Sequence, residues 1–76
     1  MAAMGLAEIV GKNVRRLRLD RGMTQEDLAH RAEISVRFLS SLEHGRENTT
    51  LAVIERVSAA LGTAPPQLLT EGPPTG

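Results

Sequence analysis

No cysteine occurs among the 76 residues, so neither a disulfide framework nor a thiolate metal site is open to this chain. No apolar run approaches the roughly 20 residues that span a bilayer. Residues 1–4, Met-Ala-Ala-Met, lack the basic region and long apolar stretch of a secretion signal. A soluble, cytoplasmic protein without a membrane partner is the expectation. Charge of one sign is also missing: nine Lys and Arg cancel nine Asp and Glu, so the total does not advertise nucleic acid. Strand-like alternation, internal repeats and a glycine-rich phosphate loop are all lacking. His30 and His44 are the only histidines and form no acidic-histidine pair at metal spacing. Ser40, Ser41 and Ser58 lack a nucleophile-elbow pattern. No enzymatic activity, metal, cofactor or small-molecule ligand is therefore expected. A chain this short is one domain with a small core, for which a partner subunit is a natural supplement.

What is present is concentrated between Gly22 and Gly45. Thr24 suits a helix N-cap, with Asp27 three residues on as in a capping box. Leu28, Ala29 and Ala32 follow at helical spacing. Ser35 is a second N-cap, followed by Leu39 and Leu42. Two capped helices of about two turns, with a few residues between them, cannot lie antiparallel. They cross steeply, as in a helix-turn-helix, and leave the second helix free to enter a major groove.

The periodicity predicts an all-α fold, a five-helix orthogonal bundle. The first helix spans about Ala7–Arg21, with Val10, Val14 and Leu17 on one stripe and Gly22 ending it. The second and third span Gln25–Ala32 and Val36–Glu43. Residues 46–50 form a loop. The fourth spans Leu51–Leu61, with Leu51, Ile54, Val57 and Leu61 as its core stripe. Pro65 opens a short fifth helix, and Leu68 and Leu69 close the core. Residues 1–5 read as a flexible N-terminus, 6–70 as the domain and 71–76 as a disordered tail.

Charge is unevenly spread within the neutral total. Residues 12–21 hold Lys12, Arg15, Arg16, Arg18 and Arg21 against Asp20, a net of +4, while Arg31 against Glu26, Asp27 and Glu33 leaves residues 22–36 at −2. Phosphate responds to local potential, so the basic stretch keeps a DNA reading open. Gln25, at a helix N-terminus, can donate its amide to a phosphate or remain solvated. Arg37, in the first turn of the third helix, can fork onto guanine O6 and N7 or stay a solvated charge. Ser35, Val36, Phe38 and Ser41 share that helix. Val36 and Phe38 either touch thymine methyl groups and sugars or, for the Phe38 ring, fold onto the domain. His44, Arg46, Asn48 and Thr49 lie beyond it, as backbone contacts or plain loop residues.

Several segments carry a family resemblance: Val10-Gly11 with Val14-Arg15, Leu17-Arg18, Gly22 to Glu26, Leu28-Ala29, Ile34-Ser35, Leu42 to Arg46, and Ala60 to Gly62. In this order and spacing they resemble the phage-repressor and Cro type of helix-turn-helix domain, the xenobiotic-response-element family, with its lambda-repressor-like fold. Within it the chain is most similar to restriction–modification controller proteins, through Asn48-Thr49-Thr50-Leu51. The resemblance implies a sequence-specific transcriptional regulator that binds double-stranded DNA as a homodimer. It implies a phosphate contact at Gln25 and a partly buried ion pair between Arg18 and Glu43. It also implies dimerisation through the C-terminal region, where Val53, Ala59, Ala60, Leu68 and Leu69 are the candidates. Glu33 departs from the family by standing where glycine is usual; a left-handed Glu there carries strain of order 1 kcal/mol. A protein-interaction module of the same fold, antitoxin-like or adaptor-like and not binding DNA, is the alternative. The zero net charge and the apolar Val36/Phe38 surface speak for it.

Overall fold

A computed structural model describes residues 4–72. The outer parts of the expected N-terminal extension and tail, residues 1–3 and 73–76, lie outside the described residues. Five helices follow one another: α1 Leu6–Asp20, α2 Gln25–Ala32, α3 Val36–Glu43, α4 Leu51–Leu61 and α5 Pro66–Leu69. The middle three have the expected bounds. The first starts and ends one residue earlier, and Pro65 is the N-cap of α5 instead of its first residue.

Side-chain caps fix the starts of the three middle helices. Thr24 Oγ1 accepts the Asp27 N–H at 3.0 Å, and Asp27 Oδ2 accepts the Thr24 N–H at 3.0 Å. This reciprocal box satisfies two donors that the helix leaves open. Ser35 Oγ accepts the Phe38 N–H at 3.0 Å. Thr50 Oγ1 does the same for Val53 at 3.2 Å, a cap the sequence reading passed over. The end of α2 is set by Glu33, at φ 58° and ψ 45°. Its left-handed turn lets the Ile34 N–H reach the Ala29 carbonyl at 3.0 Å, so the expected strain is present and buys the sharp turn into α3.

The core joins all five helices. Val14, Leu28, Leu39, Leu42, Val57, Leu61 and Leu68 are fully buried, each worth roughly 1.5–3 kcal/mol against exposure. Two expectations fail at the edges. Leu51 lies on the predicted stripe of α4 but is 77 % exposed. It is the first residue of the helix, and periodicity fixes a face without fixing whether a neighbour reaches its first turn. Leu69 is 38 % exposed: in one short turn, adjacent residues point apart, and Leu68 takes the inward direction.

Two positions on α1 fix its neighbours. Gly11 is buried against α3, where an added Cβ would collide with the Leu42 carbonyl oxygen and lie 3.0 Å from that of Glu43. The obstacle is backbone, which cannot swing aside. Asn13 is 2 % exposed, and its Nδ2 donates to the carbonyls of Leu68 at 2.9 Å and Thr70 at 2.8 Å. Its Oδ1 accepts from Arg16 Nη2 at 3.0 Å. A buried amide is thus satisfied while it ties the end of α5 to α1.

Gly11→Ala should destabilise the fold by about 1–3 kcal/mol through overpacking, despite the better helix propensity of alanine. Urea unfolding reads this directly, and an unchanged midpoint would mean that α1 and α3 separate freely. A second expectation concerns acid. The Thr24 backbone N–H and then its hydroxyl hold the Asp27 carboxyl below its usual pKa. A carboxyl depressed in the fold stabilises it above the unfolded value of about 3.9, and that contribution fades as pH falls through and below it. The stability gap between the unmutated chain and Asp27→Asn should be full at pH 6 and close towards pH 2. A gap that is constant with pH would contradict the box.

Candidate nucleic-acid interface

Helix α3 turns Leu39, Leu42 and Glu43 inward. With 3.6 residues per turn, the opposite face carries Arg37, Ser41 and His44 at spacings of four and three. Arg37 and His44 are exposed and Ser41 is half-buried. Ser40, which the sequence reading did not select, is half-buried beside them. Val36, at 41 % exposure, and half-buried Phe38 flank this face. Part of the Phe38 ring is thus taken up by the domain. Ser35 is exposed, but its hydroxyl oxygen already caps α3.

Beyond α3 the candidates diverge. His44 Nδ1 lies 2.7 Å from the Ser40 carbonyl oxygen. A carbonyl only accepts, so Nδ1 carries the proton and Nε2 is left for another partner. Arg46 and Asn48 are exposed. Thr49 is not a comparable candidate, because its Oγ1 is enclosed, with no hydrogen-bond partner among the described residues.

Beneath this surface lies the ion pair. Arg18 Nε donates to Glu43 Oε2 at 2.6 Å, and Arg18 Nη2 to Glu43 Oε1 at 3.0 Å. The side chains are 9 % and 2 % exposed, deeper than the partly buried pair the resemblance implies. The third nitrogen, Nη1, donates to the Met23 carbonyl at 2.9 Å. Hydrogen bonding to Glu43, helped by its negative charge and opposed by burial, raises the Arg18 pKa further above its usual value. Gln25, half-buried at the start of α2, donates from Nε2 to Glu43 Oε1 at 3.1 Å. The sequence reading treated Gln25 and the ion pair separately; the structure joins them.

The basic stretch of residues 12–21 is therefore not one free patch. Lys12, Arg15 and Arg21 are exposed, Arg18 is neutralised inside, and Arg16 holds Asn13. Asn13 itself was missed. Its signal was available: an amide three residues after Val10 and four before Leu17 stands on an apolar stripe. Among the dimerisation candidates, Ala59 and Leu69 are exposed, and Val53 and Ala60 are half-buried. Leu68, expected among them, is not available for pairing. It is fully buried in the core and offers nothing to a second subunit. Among the described residues, no group of three His, Asp or Glu side chains could hold a metal ion.

Comparison with known proteins agrees with the fold. A model of the helix-turn-helix family matches residues 14–68. An uncharacterized HTH-type transcriptional regulator of Sinorhizobium fredii is 40% identical over 67 residues, covering 88% of this chain and 87% of that protein. The restriction-modification controller protein C.AhdI of Aeromonas hydrophila superposes with a TM-score of 0.79 at 29% identity, over 82% of this chain and 94% of that one. The controller protein C.Esp1396I, solved as a tetramer with its natural 35 base-pair operator, gives a TM-score of 0.75 at 29% identity, over 82% of each chain.

Arg18→Ala and Glu43→Ala should each cost about 3–5 kcal/mol, because each strands a buried charge. The double variant should lose less than the sum. Urea unfolding of all four proteins, in an osmolyte that keeps them folded, measures the coupling. Additive losses would mean that the two side chains do not meet.

Proposed function

From the membership of this chain in the helix-turn-helix family, we propose that it is a sequence-specific DNA-binding transcriptional regulator, working as a homodimer on a two-fold operator. The observation that carries the reading is the outer face of α3. Arg37, Ser41 and His44 lie there in one row, with Gln25 at the start of the helix before it. The operator complex of C.Esp1396I supports the same use of this fold.

Helix α3 enters the major groove. Arg37 reads a base, guanine being the partner that matches its planar fork. Gln25 holds a phosphate beside the open N–H groups of α2. His44, Arg46 and Asn48 follow the backbone past the groove. None of these contacts calls for catalysis or a cofactor. One helix reads too few base pairs for a useful operator, so two copies stand about 34 Å apart. Val53, Ala59, Ala60 and Leu69 supply the apolar surface for pairing. No helix in the described residues is long and apolar enough to cross a membrane, and a regulator of this kind works in the cytoplasm.

Selection from a random duplex pool tests the reading. The bound sequences should share a two-fold repeat with half-sites one helical turn apart, and affinity should fall steeply with salt. Arg37→Ala should cost about 1–3 kcal/mol on the selected site and flatten the preference at one base pair. An Arg37→Ala protein with its preference intact would overturn the base contact. A pool without enrichment, together with salt-independent binding, would overturn the function.

A further inference from the structure

We propose that the buried ion pair is part of the DNA-binding machinery: Glu43 is a positioning residue for Gln25, and Arg18 cancels the charge that would otherwise make Glu43 repel the phosphate. The inference rests on the DNA-binding reading given above.

The chemistry of the acceptor carries the argument. A carboxylate accepts and never donates, so the amide of Gln25 must turn its nitrogen towards Glu43 Oε1, at 3.1 Å. This fixes which way round the amide lies. A phosphate also only accepts, so the same nitrogen must serve it. The first Nε2 proton goes to Glu43 and the second remains for the phosphate. Gln25 thus bridges two anionic groups through one nitrogen. A free glutamine would sample several rotamers and both amide orientations before it found that arrangement. Held by Glu43, it loses less freedom on binding.

The arrangement has an electrostatic cost, and Arg18 removes it. Glu43 is 2 % exposed at its side chain, too deep for solvent to screen its charge well. A bare carboxylate one hydrogen bond from Gln25 would oppose any anion beyond it. The Arg18 fork covers both oxygens, at 2.6 Å and 3.0 Å, and leaves Oε1 with capacity for Gln25. Arg18 also holds the Met23 carbonyl at 2.9 Å, two residues before Gln25. The backbone that leads into α2 and the side chain that starts it are therefore oriented by one pair.

An apolar swap separates this role from folding. Replacing a buried ion pair with apolar residues of similar volume is often neutral or stabilising, so Arg18→Met with Glu43→Leu should fold with an unchanged or higher midpoint. It also removes the acceptor for Gln25. Affinity for a nonspecific duplex at low salt is then measured for the unmutated protein, Gln25→Ala, the swap, and the swap with Gln25→Ala. The swap should bind about three- to tenfold more weakly, and adding Gln25→Ala to it should cost little more. A folded swap with unmutated affinity, or equal losses from Gln25→Ala in both backgrounds, would overturn the inference while leaving DNA binding in place. No duplex binding by the unmutated protein would overturn both. A second measurement needs no variant. In the free protein, the two side-chain amide protons of Gln25 should give widely separated nuclear magnetic resonance signals. Signals at random-coil positions would overturn the inference.

Discussion

A charge buried in a small protein must be matched, and the matching of Glu43 organises this fold. Its two oxygens receive Arg18 from α1 and Gln25 from α2, while Glu43 itself ends α3. Arg18 extends the set to the α1–α2 turn through Met23. Withdrawing either ion leaves the other desolvated and unpaired, an outcome costlier than never having buried the pair. The three helices can therefore shift relative to one another only by breaking several charge-assisted bonds together. Gly11 allows this arrangement, because any side chain there would hold α1 away from the Leu42 and Glu43 carbonyls. The hydrophobic core supplies the driving force, but it is non-directional. The carboxylate supplies the register.

Features that depend on nearest neighbours in the chain were legible in the sequence. The Thr24 box, the Ser35 cap and the bounds of α2, α3 and α4 depend on residues three or four apart. They appear where local chemistry puts them. The left-handed Glu33 is a local matter too, although it took the resemblance to mark that position as unusual. Exposure was less legible. Leu51 and Leu68 both sit at periodic or nearly periodic positions, yet one is largely in solvent and the other sealed. Periodicity describes one helix, whereas burial depends on where a second helix ends. Contacts between distant residues were least accessible. Asn13 with Leu68 and Thr70 spans 55 and 57 positions, and Gln25 with Glu43 spans 18. The Arg18–Glu43 contact was anticipated only through the family resemblance.

The outer face of α3 divides its tasks by what the inner face already uses. Ser35 and His44 stand at its two ends, and each spends one polar atom on the helix itself: Ser35 on the Phe38 N–H, His44 on the Ser40 carbonyl. What remains for an outside partner is a restricted set of groups in fixed orientations. Arg37 is exposed and makes no such bond among the described residues. Val36 and Phe38 flank this face with apolar surface, the first exposed and the second half-buried. The polar groups at the two ends of α3 are thus partly committed to the helix's own geometry, while Arg37, in its first turn, projects outward.

The amide of Asn13 has a consequence for how the chain is made. It lies near the beginning of the chain, and its two donated bonds end on carbonyls close to the other end. While residues 68–70 are still being added, α1 can form but must leave that amide to water or bury it unsatisfied. Without residues 68–70, neither bond donated by the Asn13 amide has its carbonyl acceptor. Closing the core around α1 is thus tied to the presence of the α5 turn, which one buried side chain on α1 holds.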